Sequence, residues 1–455
     1  MDVLPGGYHV NAATWFYLSL LLVVAVFFRF GRIWSLRNLD LVLLLCISPG
    51  LLMVEEKMPY GYVWLFSVTG LLLLRLFCDG WFQRRPRMEQ NLNPPGLAFL
   101  CVAAFAFLTA QVITNTLPNS TVKMVDRAEE LLKGKAALNV DSTEASADEA
   151  DARPGPAASV LAAVVLKVAQ FAIVDDGTGS RNAVAFADWA GRISAIVAHL
   201  AVILALIVLA HRHFGDYRLG LAMATLYLLM PCTSYDVGKV NHVLPAAFIV
   251  WAVVAYRHPF LAGGLMGLSC GTLFFPVFLL PLWIRFYGRR GALKFGSALV
   301  VVVAFLLGSL ALMAENTESF RYQISSFVDW NALTIEGDEE GGFWNGANSQ
   351  YRIPVHAAFL VMLCWLTIWP RRQNLEHLMA HCTAIVVGIQ FWYPRHGGEF
   401  ILWYLPLLLM VIFRPRLAQL LPPDHPHEEH ETKSVPNRKG RESAPTGTPD
   451  GRLFR

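Results

Sequence analysis

The chain has 455 residues, of which 55% are hydrophobic and 16% are charged, and its formal net charge is +3. This composition excludes a soluble domain, because such a domain needs more polar residues to cover its surface. The small net charge argues against nucleic acid as a partner. The seven cysteines form no CxxC pair, so neither a zinc site nor a disulfide framework is expected.

The apolar residues fall in blocks of about 17 to 25 residues, the length that a helix needs to cross the hydrocarbon core. A backbone in lipid must satisfy its own hydrogen bonds, so we predict an all-α integral membrane protein with about thirteen hydrophobic helices. The blocks are 12–28, 39–54, 61–78, 97–115, 191–210, 219–231, 242–256, 260–284, 295–314, 353–369, 375–391 and 400–413.

The block at 260–284 contains four glycines and Pro276. This pattern predicts two short helices, broken near Pro276, that enter and leave on the same side of the membrane.

Arginines concentrate in alternate loops, and this predicts the orientation. They are Arg29, Arg32, Arg37, Arg84, Arg85, Arg87, Arg212, Arg218, Arg257, Arg285, Arg289, Arg290, Arg371, Arg372, Arg414 and Arg416. By the positive-inside rule this side is cytoplasmic, so the N-terminus lies outside and the C-terminus inside. The two long loops, 116–190 and 315–352, are acidic and are predicted to be extracytoplasmic.

Two further segments need an interpretation. Residues 157–174 are apolar enough for a span, but a span there would place Arg285 to Lys294 outside. We therefore expect a helix that lies in the outer interface. Residues 415–455 are predicted to form a disordered cytoplasmic tail.

Polar residues at the outer helix ends are the candidates for a functional site, because charge near the hydrocarbon is costly. They are Asp236, Lys239, Asn241 and His242 before one span, and Arg395 and His396 before the last. Lys239 and Arg395 are cations on the predicted outer side, where they could meet an anion such as a lipid phosphate. The alternative is that they pair with acidic loops or reach to headgroups.

A general base would be an outer carboxylate, and the candidates are Asp126, Asp175, Asp176 and Asp236. The alternative is that these acids are only solvated. The sequence contains no Walker loop, GxSxG elbow or HExxH motif, so no cofactor is identifiable and no metal ligands are predicted. A requirement for a divalent metal stays open.

The order of short motifs resembles a known family. Gly238–Asn241 precedes a span, Ala262–Leu268 and Phe275-Pro276 follow, and then Arg289-Arg290. This resembles the multi-span glycosyltransferases of the C superfold, most of all the polyprenyl-phosphate-mannose-dependent branch, glycosyltransferase family 87. Lys239 stands where that family often has Gln. The resemblance covers residues 97–414 and leaves 1–96 as an extra three-span N-terminal region.

The resemblance implies an inverting transfer of a sugar, such as mannose, from a polyprenyl-phosphate donor to an extracytoplasmic acceptor of the cell envelope. The protein would lie in the cytoplasmic (inner) membrane. An Asp in the first long outer loop would be the general base, and Asp126 matches by position. The substrate-binding residues would be Asp236, Lys239, Asn241, His242, Arg395 and His396, with Lys239 and Arg395 near the leaving phosphate.

A non-catalytic protein of the same fold is the alternative, either a transporter of lipid-linked sugar or an assembly scaffold. A transporter should carry polar residues in mid-span. Few occur, with Gln111 and Gln390 among the most polar, and this favours the transferase.

Overall fold

A computed structural model describes residues 12–58, 60–81, 90–133, 155–172, 179–314, 316–318, 320–321, 324, 343–344, 350–370, 373–393, 396–417 and 419–423. Every regular element in these ranges is helical, as the sequence predicts. Arg395, Asp175, Asp176 and most of the predicted cytoplasmic tail lie outside the described residues.

The α-helices, numbered in chain order, are α1 (Ala12–Phe27), α2 (Leu36–Leu45), α3 (Ile47–Glu55), α4 (Tyr60–Phe77), α5 (Pro94–Thr114), α6 (Asn119–Lys133), α7 (Pro156–Ala172), α8 (Gly179–Leu209), α9 (Tyr217–Leu229), α10 (Pro231–Tyr235), α11 (Val240–Val254), α12 (Pro259–Thr272), α13 (Leu280–Met313), α14 (Arg352–Ile368), α15 (Leu375–Trp392) and α16 (Leu405–Phe413). Short 3-10 segments cover Cys78–Trp81, Phe275–Leu279 and Ile401–Trp403.

Five helical segments are long and apolar enough to cross a membrane: Leu36–Glu55, Tyr60–Phe77, Pro94–Thr114, Phe186–Phe214 and Phe275–Leu312. Five shorter apolar helices accompany them among the described residues. An integral membrane protein follows from these lengths and compositions. The count of thirteen helices stays a prediction, as does the position of α7 in the outer interface.

The predicted break in the 260–284 block is present. α12 ends at Thr272, a 3-10 turn covers Phe275–Leu279, and α13 then begins. The segment after it agrees with the prediction in part, because 285–294 is mostly helical but contains a kink at Gly288 where two helical stretches of α13 meet. The helix bends there at Gly288, whose φ of +65° is easily adopted only by glycine. That the two predicted short helices enter and leave on the same side stays a prediction.

The bundle has two ends that matter for function. α15 has Glu376, which pairs with Arg414, in its first turn, and it ends beside the loop that carries His396. The 18 residues of α15 separate these ends by about 27 Å. α4 runs between the same ends, with Tyr62 bonded to His396 and Arg75 paired with Asp79. We refer to them as the His396 end and the Arg414 end.

Candidate functional site at the His396 end

A hydrogen-bonded group of three side chains lies at the His396 end. His396 Nδ1 is 3.0 Å from the Tyr62 hydroxyl and 3.0 Å from Glu399 Oε1. Tyr62 belongs to α4 in the N-terminal region, whereas His396 and Glu399 precede the last helix. The contact therefore joins segments 334 residues apart.

The loop that carries His396 has an uncommon backbone. His396 has a φ of +49° and Gly398 a φ of +96°. Residues other than glycine rarely adopt the left-handed backbone conformation, and those that do often occur at functional sites. Helix α15 holds the loop in place, because the Gly398 amide donates to Gln390 Oε1 of that helix at 3.2 Å. Gly397 lies so close to the Gln390 carbonyl that a Cβ would be 2.6 Å away.

An ion pair lies in the turn between α10 and α11. Lys239 Nζ is 3.1 Å from Asp236 Oδ1, with the carboxylate largely buried and the lysine side chain 30% exposed. The Lys239 amide donates to the Asp236 carbonyl at 3.0 Å, which closes the turn. Thr121 of α6 donates to the Gly238 carbonyl at 2.7 Å, so α6 holds this turn in place.

The pKa of Tyr235 responds to charges of both the Lys239–Asp236 ion pair and the His396 group. Partial burial, then the negative charge of Asp236, raises the pKa of Tyr235 to about 12, and Glu55 and Glu399 act in the same direction. Lys239 opposes them. The hydroxyl is therefore neutral near pH 7 and can donate a hydrogen bond. These influences also show that the acids, the lysine and both tyrosines share one electrostatic environment.

His242 and Asn241 are placed differently from Lys239. Both are buried in the first turn of α11. His242 stacks on Phe400 and Trp403, and Trp403 Nε1 donates to its Nδ1 at 2.8 Å. This contact ties α11 to the segment after the His396 loop. His242 is 1% exposed, so it packs beneath the loop that carries His396 and is not at the protein surface.

Asp126 lies on α6 with an exposed side chain. Thr121 and Val125, on the same helix, face the bundle beside Gly191. At 100° per residue, Asp126 is about 140° around the helix from Thr121. Helix α6 thus touches the Lys239 turn, while Asp126 itself projects from another face of that helix.

Sequence reasoning missed two contributors from the N-terminal region, Tyr62 and Glu55, and it did not select Glu399. Tyr62 and Glu55 lie at the ends of apolar blocks, where polar residues are common. Nothing local in the sequence shows that these helices meet the last loop. In the part of the chain that the structure describes, no group of three or more His, Cys, Asp or Glu could hold a metal ion.

The segments at 236–242 and 396–403 lie within one region that a protein-family model matches. The model of glycosyltransferase family 87 matches residues 183–413, about half of the chain. The chain belongs to glycosyltransferase family 87. Asp236, Lys239, His242, His396 and Glu399 fall inside the matched region, whereas Tyr62 and Asp126 precede it. No curated protein and no solved structure matches the chain significantly.

Membership of family 87 gives the general activity, which is glycosyl transfer by a membrane protein. It also confirms the family that the motifs around Gly238 and Ala262 predict. The N-terminal helices α1 to α4 lie outside the match, yet Tyr62 of α4 completes the His396 group. The glycosyltransferase region and the N-terminal region therefore meet at the candidate site.

Proposed function

We propose that this family 87 protein transfers a hexose, such as mannose, from a polyprenyl-phosphate donor to an acceptor hydroxyl at the His396 end. Two observations carry the proposal. Tyr62 of the N-terminal region contacts His396, which pairs with Glu399. The charges of the Lys239–Asp236 ion pair and of Glu399 all act on Tyr235, so both groups lie at the same end of the bundle. A partly exposed cation beside neutral hydrogen-bond donors suits a phosphate that must be held and then released.

The proposed step is a single displacement. The acceptor oxygen attacks C1 of the donor sugar from the face opposite the phosphate, and the bond between C1 and the phosphate oxygen breaks. The bonding electrons go to the leaving polyprenyl phosphate, whose charge Lys239 and Arg395 stabilise. The hydroxyl proton goes to a carboxylate, and the new glycoside has the inverted anomeric configuration.

Asp126 is the proposed base. Its support is its position soon after the span that ends near Asn115, where the resemblance to the family implies the base, together with the contact of α6 through Thr121 with the turn that bears Lys239. Asp236 is the competing carboxylate, but it is 6% exposed. A base must reach the substrate proton, and the side chain of Asp126 is exposed. The proposal requires the acceptor hydroxyl to approach the face of α6 that carries Asp126.

We infer that the His396 end faces outward from the cytoplasmic membrane and that the Arg414 end faces the cytoplasm. Tyr287 donates to the Tyr256 carbonyl at the Arg414 end of α11, so the arginines around Gly288 lie near that end. Such a cluster favours the cytoplasmic side. An outward site also suits a lipid-linked donor, because nucleotide sugars are cytoplasmic.

The test uses purified protein in proteoliposomes with a panel of radiolabelled polyprenyl-phosphate sugars and a membrane glycolipid extract as acceptor. The wild type should transfer label from one donor, and Asp126→Asn should lower the initial rate by about 10²- to 10⁴-fold. Asp188→Asn, at another acid of the same outer loop, is the control. Full activity of the Asp126 variant would eliminate it as the base. Absence of transfer by the folded wild type with every donor would contradict the function itself. Parallel reactions with EDTA determine the metal requirement.

A further inference from the structure

A cavity of roughly 360 Å³ lies where the N-terminal region meets the family 87 region. Its size is at the lower end of the range of small-molecule sites, which is about 300 to 1,000 Å³. The N-terminal helices contribute Trp15, Ser48 and Glu55, and the rest of the chain contributes Gln111, Ser234 and Tyr235. Tyr235 is thus shared between this cavity and the site with Lys239.

The wall of the cavity is largely polar and has no cation among the residues that the structure describes. In that part of the chain no Lys, Arg or His lines it, and the lining residues carry carboxylate, amide, hydroxyl and aromatic groups beside the apolar Leu51, Leu52 and Pro231. This composition does not favour a phosphate, which needs positive charge or several amide donors. It favours a neutral ligand with many hydroxyl groups, because each such group can both donate and accept.

Glu55 is an unusual residue in this wall. It is the last residue of α3, where the helix dipole disfavours an anion. Its side chain is exposed, and no ion pair or hydrogen bond of its carboxylate occurs within the described ranges. Its negative charge instead raises the pKa of Tyr235 across the cavity. A carboxylate held in this position is available to accept hydrogen bonds from a ligand.

Two buried polar groups in the same wall also lack partners. Trp15 is 6% exposed and Ser48 is 1% exposed. Trp15 Nε1 and Ser48 Oγ make no hydrogen bond within the described ranges, and both atoms are buried behind the cavity surface. Buried polar groups are usually paired. By contrast, Ser234 Oγ donates to Gln111 Oε1 at 2.7 Å, which orients that side-chain amide at the cavity.

We propose that this cavity binds a neutral sugar unit of the acceptor, with Glu55 accepting hydrogen bonds from its hydroxyls. The assignment to the acceptor rests on the proposed transfer, in which the donor phosphate lies at Lys239 just beyond Tyr235. The preference for a neutral sugar rests on the cavity alone. The N-terminal region, which the family match does not cover, would then select the acceptor.

The first arm of the test measures binding without turnover. Radiolabelled methyl glycosides of mannose, glucose and galactose are equilibrated with the purified full-length protein. The wild type should show saturable binding of at least one, and Glu55→Gln should weaken it by about 10- to 100-fold, the loss expected for a hydrogen bond to a charged group. Leu52→Trp, which fills the cavity from its wall, should abolish binding. Glu56→Gln, at the neighbouring exposed acid, should leave it unchanged. No saturable binding by the wild type would overturn the proposal.

The second arm separates the acceptor from the donor sugar. In the transfer assay Glu55→Gln should raise the acceptor KM by a similar factor and leave the donor KM unchanged. A raised donor KM with an unchanged acceptor KM would overturn the acceptor assignment. If transfer is absent with every lipid donor but glycoside binding depends on Glu55, the sugar site stands and the proposed transfer fails. If transfer occurs and Glu55→Gln changes neither KM, the cavity assignment fails alone.

Discussion

The two ends of the bundle use charged residues in different ways. At the Arg414 end, Arg75 pairs with Asp40 and Asp79, and Arg414 pairs with Asp79 and Glu376. These side chains are at most 18% exposed. At the His396 end, Lys239 pairs with Asp236 and His396 pairs with Glu399, and the side chains of Lys239 and His396 are about 30% exposed.

The difference indicates which charges hold the fold and which can act on a ligand. Buried charges with several short partners are costly to disturb, because removal of one partner leaves the others uncompensated. Partly exposed pairs contribute little stability, so their residues can change partners when a substrate arrives. The Arg414 network also joins Asp40, Arg75 and Asp79 of the N-terminal region to the family 87 region.

The largest expected effect is the loss of Asp79. Asp79→Asn should destabilise the protein by about 3 to 5 kcal/mol, because Arg75 and Arg414 would both lose a buried carboxylate. Thermal unfolding of the detergent-solubilised wild type and variant measures this loss of stability. Glu56→Gln, at an exposed acid of the same region, is the control. An unfolding temperature like that of the wild type would show that the network does not hold the two regions together.

Lys239 should show the opposite pattern, with a large effect on rate and a smaller one on stability. Lys239→Met should lower the transfer rate by about 10²- to 10³-fold through loss of the cation at the leaving phosphate. Its free energy of unfolding should fall by less than that of Asp79→Asn, because water reaches the 30% exposed lysine and one buried carboxylate, not two buried guanidinium groups, loses its partner. Lys57→Met, an exposed lysine outside the site, should leave both quantities unchanged. Strong destabilisation by Lys239→Met would assign this pair to the fold instead.

Two adjacent glycines test the helix packing between the ends. A Cβ on Gly263 would lie 2.1 Å from the Phe295 carbonyl oxygen, whereas one on Gly264 would meet nothing within 4 Å. Gly263→Ala should therefore lower the free energy of unfolding of the protein by about 1 to 3 kcal/mol. Gly264→Ala should be neutral or stabilise by up to about 1 kcal/mol, because alanine favours a helix. Equal unfolding temperatures would contradict the close packing of α12 on α13.

The smallest expected effect on stability comes from the left-handed backbone conformation of His396. His396→Gly and His396→Ala both remove the imidazole, so their transfer rates should fall equally. Glycine adopts the observed φ of +49° without strain, so the Gly variant should be more stable than the Ala variant by about 1 to 2 kcal/mol. Equal stability would show that the loop relaxes to an ordinary conformation once the side chain is gone.

Local patterns were sufficient for much of the fold. The glycines and Pro276 predicted the break before α13, and the motif at Gly238–Asn241 predicted the family. Asp236 and Lys239 were predicted to lie together before a span, and the structure pairs them there. The charged residues of 285–294 predicted a loop, and the structure has a kink at Gly288 between two helical stretches of α13.

Contacts between distant segments could not be read from the sequence. Tyr62 and His396 are 334 residues apart, and apolar periodicity does not show which helices are neighbours. The same holds for the pair between Arg414 and Asp79 and for the cavity beside Glu55. All of the predicted site residues stay predictions, since their roles depend on a bound substrate: Asp126, Asp236, Lys239, Asn241, His242, Arg395 and His396.

One measurement compares the two ends directly: the initial rate of label transfer per folded molecule for the wild type, Lys239→Met and Asp79→Asn in the same proteoliposome assay. The account predicts that Lys239→Met loses nearly all of its rate while fully folded, and that Asp79→Asn keeps a rate near that of the wild type in its folded fraction. Normal turnover by Lys239→Met, with turnover lost in folded Asp79→Asn, would contradict it and move the chemistry to the Arg414 end.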